Sequence, residues 1–122
     1  MNFQKICKLF LLFSGETEIA PLLPLIQGAM LEVEGRLRTD ADPSDERLTF
    51  LAAALANLRH SQMLTARQQQ VFTAGGSAPA ADTGKNRPFL AGELAKAYLQ
   101  NARSLLKDDG FVFAAIAAEG QA

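Results

Sequence analysis

Asp40-Ala41-Asp42-Pro43-Ser44-Asp45-Glu46 runs directly into Arg47-Leu48-Thr49-Phe50-Leu51-Ala52-Ala53-Ala54-Leu55-Ala56. This join reads as the start of a helix. Asp42 is a good N-cap, and Pro43 suits the first helical position, where its missing N–H has no helical partner anyway. Asp45 and Glu46 bring negative charge to the positive end of the helix dipole. The acids also alternate, as in a calcium loop. An EF-hand loop, however, needs five or six ligand positions closed by a Glu at the twelfth. Capping is therefore the preferred reading, and it places a helix over residues 43 to 71. Leu48, Leu51, Ala52, Leu55, Leu58 and Gln62 or Met63 form its inward stripe. The alanine run permits close packing on more than one side.

Upstream, Phe3, Ile6, Cys7, Phe10 and Phe13 recur at helical spacing, with Lys5 and Lys8 off that face. This predicts a short amphipathic first helix. The apolar run from Leu9 to Phe13 is five residues long, too short for a secretory core of about 7–15 residues. A membrane span needs about 20 apolar residues, and no such run occurs. Gly15 stops the first helix. Ile19, Leu22, Leu23, Ile26, Ala29, Met30, Val33 and Leu37 then mark a second apolar stripe. Pro24 marks its start, with residues 20–23 as a lead-in turn. Gly28 and Gly35 interrupt this stripe and are expected to let another helix approach closely.

Downstream, residues 73–87 read TAGGSAPAADTGKNR and predict a loop of 15 residues. Gly84-Lys85 is not a phosphate loop: position 79 is Pro, position 86 is Asn, and no strand precedes it. A fourth helix is predicted over residues 88–107, with Ala91, Leu94, Ala95, Tyr98, Ala102 and Leu105 inward. Gly110 supplies its left-handed cap. Residues 111–116 alternate like a short extended arm, and 117–122 form a frayed tail. The fold class is all-α: a single domain over residues 1–116, a bundle of about four helices with a long loop before the last.

Composition narrows the chemistry. The chain has 122 residues, one Cys, one His, no Trp and a net charge of −1. A lone Cys7 excludes an intrachain disulfide and any Cys-based zinc cluster. It reads as a small buried apolar side chain. A lone His60 excludes a multi-histidine site and reads as structural. No G-x-S-x-G elbow accompanies it. Glu32 and Glu34 do not share a helix face, so they form no acid/base dyad. No catalytic, cofactor-binding or metal-ligating residue is expected, and no enzymatic activity.

The small net charge conceals an uneven distribution. Residues 1–58 carry −3, residues 59–107 carry +5 and residues 108–122 carry −3. Arg59, Arg67, Lys85, Arg87, Lys96 and Arg103 form a candidate basic face for DNA or an acidic partner. A solvated helix face is the plainer alternative.

The order of features resembles a known family. An apolar helix ends in Glu32-Val33-Glu34-Gly35-Arg36-Leu37, and the acidic turn leads into the alanine-rich helix. A Phe72-Thr73-Ala74-Gly75 segment opens a loop, and the last helix ends in Leu106-Lys107-Asp108-Asp109-Gly110-Phe111-Val112-Phe113. This is similar to the small head–tail connector (adaptor) proteins of tailed bacteriophages and prophages. The chain departs from them after the Phe-Gly step, where an Ala-, Pro- and Ser-rich stretch replaces a hairpin-like alternation. The resemblance implies a structural subunit of a ring beneath the portal, with DNA passing through the middle. It implies contacts to itself, weak in isolation, and to portal and tail-completion proteins, in the host cytoplasm during assembly and then in the virion. Phe72, Phe111 and Phe113 are the candidate subunit contacts, aromatic residues being enriched at interface cores. Two other expectations stay open: a small helical protein-interaction or regulatory domain, and a DNA-contacting helical domain.

Overall fold

The structure is a computed structural model that describes residues 1–75 and 82–107, with side chains over 1–67 and 87–107. Its described residues form four α-helices: α1 (Phe3–Ser14), α2 (Leu23–Gly35), α3 (Glu46–Gly75) and α4 (Asp82–Ala102). Among the described residues there is no strand, so the all-α expectation holds. α3 is the central element, packing against α1, α2 and α4.

Local chemistry explains each element. Asn2 caps α1 by accepting from the Lys5 N–H at 3.2 Å. Gly15 ends α1 in the left-handed region at φ +76°, and its N–H donates to the Leu11 carbonyl at 2.9 Å. Ile6 and Phe10 are buried, with Phe3, Cys7 and Phe13 partly so, as the apolar spacing predicts. A 3₁₀ turn, Ala20–Leu22, then leads into α2, with Pro24 in its first turn. α2 buries Ile26, Ala29 and Val33 and ends at Gly35, before Leu37. Gly28 and Gly35 do not mark close helix approaches. A methyl group at either would meet nothing within 4 Å, because both face solvent.

α3 begins later than the Asp42–Pro43 pair predicts. The Asp42 carboxylate is engaged locally, accepting from the Ser44 N–H at 2.9 Å and the Ser44 hydroxyl at 2.7 Å. That closes an Asx turn ahead of the helix. Asp45 is the residue that caps: its Oδ1 accepts from the Arg47 N–H at 3.0 Å. The Pro43 carbonyl instead accepts from the Met1 amine at 2.9 Å, tying the chain start to this turn.

From Leu51 to Ala56 every side chain of α3 is fully buried. A helix apolar on all sides is an interior helix, and its alanines let three neighbours pack around it. The expected single stripe is therefore too narrow. At its far end Ser61 is buried while Met63 is exposed, so the inward path passes through residue 61.

The predicted loop is mostly helix. α3 continues through Gly75 and α4 begins at Asp82, leaving residues 76–81 outside the described residues. Pro88 lies inside α4 instead of starting it. An interior proline forfeits one helical hydrogen bond. Burial of Ala91 and Ala95 one and two turns later holds the helix against α3. α4 stops at Ala102, short of Lys107, and a 3₁₀ turn, Arg103–Leu105, follows. The predicted Gly110 cap, the 111–116 arm and the 117–122 tail lie outside the described residues. One continuous apolar core joins all four helices.

Candidate functional site

Among the described residues, polar structure concentrates at the start of α3 and at two further places. The first of these two is a junction between the end of α2 and the segment after α4. Leu37 and Leu106 form an isolated antiparallel bridge. The Arg38 N–H donates to the Leu105 carbonyl at 3.0 Å, and the Lys107 N–H donates to the Arg36 carbonyl at 2.8 Å. The Arg38 Nε adds a bond to the Leu106 carbonyl at 2.9 Å. Leu106 is buried, while Lys107, the last described residue, is exposed.

The second is a cleft of about 220 Å³ between the end of α1, the middle of α3 and the first half of α4. α3 supplies Asn57, His60 and Ser61, which are all buried. Their i, i+3, i+4 spacing puts them on one side of the helix. Phe13 and Ser14 close one end, and Arg87, Leu90, Ala91 and Leu94 line the α4 side. His60 is held firmly. Its Nε2 lies 3.2 Å from Glu16 Oε1. An ionised carboxylate only accepts, so Nε2 is the donor. The Phe10 ring meets the imidazole edge-on at 5.6 Å. The pair pins the segment after Gly15 to α3, which agrees with a structural role for His60. Nearby, Tyr98 of α4 stacks against Phe13 at 5.8 Å and Phe50 at 5.3 Å, joining three helices.

Sequence reasoning misses the cleft's polar floor. Its one signal is three polar residues at helical spacing directly after a wholly apolar run. An inward stripe through Leu55, Leu58 and Gln62 or Met63 passes over it.

Five of the six candidate cations have described side chains. Arg59 pairs with Glu32 of α2 at 3.4 Å, and Lys96 with Glu93 at 3.9 Å along α4. Arg87 and Lys96 sit nine positions apart, about 180° around an ideal helix. Arg87 thus faces the cleft while Lys96 points away from it. Arg67 and Arg103 are exposed, and the Lys85 side chain lies outside the described residues. Of the candidate contacts, Phe72 lies in α3 with its side chain outside the described set, and Phe111 and Phe113 lie outside the described residues altogether.

Charge is locally strong at the start of α3. Asp45 forms a two-point pair with Arg47, at 3.0 Å to Nε and 2.9 Å to Nη2. These bonds hold the Asp45 carboxyl down at about 2. Bonds from Ser44 lower Asp42 as well. Burial pushes the Cys7 thiol up, away from the reactive thiolate. Among the described residues, no group of three or more His, Cys, Asp or Glu could hold a metal ion, and no helix is long and apolar enough to cross a membrane.

Comparison of the chain with protein-family models, with curated proteins and with solved structures finds no match.

Proposed function

We propose that this chain is a head–tail connector (adaptor) subunit of a tailed bacteriophage or prophage, a structural protein that works through contacts in a ring and performs no catalysis. The observation that supports this reading most is the Leu37–Leu106 junction. It joins two of the segments on which the family resemblance rests, the Glu-Val-Glu-Gly-Arg-Leu end of α2 and the start of the Leu-Lys-Asp-Asp-Gly-Phe ending. The bonded partners are far apart in sequence, so both segments are needed to build one feature.

Exposed apolar side chains are a second support. Leu12, Leu31 and Leu90 are each more than half exposed. A subunit that meets neighbours has a use for such side chains. Phe111 and Phe113 follow Lys107 by four and six positions and remain the proposed anchors on an adjacent subunit. The proposed partners are other copies of the chain and the portal and tail-completion proteins, with DNA passing through the ring.

The test is co-expression with the portal protein encoded in the same genome. The reading expects the two to co-purify and the chain to appear as a ring on the portal in electron micrographs. A gene located far from portal and capsid genes, or a portal that purifies without the chain, would overturn it.

A further inference from the structure

We propose that the cleft between α1, α3 and α4 is a binding site for a small amphiphile with a carboxylate head and a short apolar body. This inference is independent of the assembly role.

The argument starts from cost. Burying polar side chains without need is unfavourable. Yet α3 turns from the fully buried run Leu51–Ala56 straight to Asn57, His60 and Ser61, which are only 6%, 8% and 2% exposed. Leucine or alanine at these positions would extend the core instead. Departures from the local rule of this kind are typical of functional sites. Here all three border one cavity.

The lining selects the ligand. Asn57 and Ser61 carry donors and acceptors, and the imidazole is fixed in place by Glu16 and Phe10. Arg87 stands on the α4 side, exposed, and makes no ion pair with another described side chain. A guanidinium at the edge of a cleft suits a planar carboxylate, which it can grip at two points. Leu90 and Leu94 supply apolar surface for the rest of the ligand. The volume, about 220 Å³, lies below the usual drug-sized range of roughly 300–1,000 Å³, so the body must be small. The carboxylate can belong to a free acid or to the end of a polypeptide chain.

The experiment is amide NMR titration of the full chain with 4-methylbenzoate and, separately, with 4-methylbenzamide. The acid is expected to shift the Asn57, His60, Ser61 and Leu90 signals, and the amide to leave them in place. Arg87→Gln is expected to weaken the acid roughly tenfold, the scale of a lost charged hydrogen bond. Ala91→Leu, which fills the cleft, should abolish binding. Should that variant fail to fold, the exposed Arg87→Gln change still decides between the outcomes. A leucine-terminated peptide, with free or amidated C-terminus, identifies the source. Competition by the free form alone assigns the carboxylate to a chain end, and no competition assigns it to a free acid. Equal shifts from acid and amide, no shifts, unchanged binding in Arg87→Gln, or displacement by inorganic phosphate would each overturn the proposal.

Discussion

The Arg38 guanidinium donates through Nε to the Leu106 carbonyl at 2.9 Å, although 68 residues separate them. This bond closes the bundle where its second helix and its last described segment meet. Two backbone bonds flank it, so the junction acts as a short, two-residue-wide seam.

Arg38→Ala removes the side-chain bond and leaves the backbone pair. A charged hydrogen bond contributes about 1.5–3 kcal/mol when buried. Arg38 is itself exposed, so the expected loss is about 1 kcal/mol. Urea denaturation should show a lower midpoint with an unchanged slope. A midpoint equal to that of the parent would mean the side-chain bond contributes nothing.

Glycine positions separate two effects. Gly28 is helical, exposed and free of neighbours within 4 Å. Gly28→Ala should therefore stabilise the chain by up to about 1 kcal/mol. Gly15→Ala should do the reverse, because φ +76° costs an L-residue about 1–2 kcal/mol. Thermal melting of both variants checks the pair, and shifts of the same sign would contradict it.

Core truncation should be costly at α3. Leu55 is fully buried in the middle of the central helix. Leu55→Ala is expected to lose about 2–5 kcal/mol. Met63→Ala, on the exposed side of the same helix, should stay within about 1 kcal/mol. Chemical denaturation of the two gives the contrast.

Acid stability should depend on Asp45. Its carboxyl sits at about 2 in the fold, below its ordinary 3.8, because Arg47 bonds its charged form. A depressed folded value means the contribution is present above about pH 4 and is lost as pH falls toward 2. Asp45→Asn should flatten the stability profile across that window and leave its upper part parallel to the parent. An unchanged slope between pH 4 and 2 would contradict the Asp45–Arg47 pairing.

Patterns with one physical cause are legible in the sequence. The α1 face, the Gly15 stop and the Pro24 start each follow from spacing or from one residue's backbone limits. Positions with two competing roles are not. Asp42 and Asp45 are equally good caps by residue type, and Ser44 decides between them by engaging Asp42. Pro88 reads as a helix start, but packing of Ala91 and Ala95 on α3 carries the helix through it. The cleft is the least legible feature. Glu16 and His60 lie 44 residues apart, and only the tertiary fold brings them within 3.2 Å.

The most direct test of the assembly role is the sedimentation mass of the purified chain over a wide concentration range, alone and with the portal protein of its genome. The connector reading predicts a mass that rises above the 13.1 kDa monomer as concentration increases, and co-sedimentation with the portal ring. A constant 13.1 kDa at every concentration, with no portal-bound fraction, would contradict it.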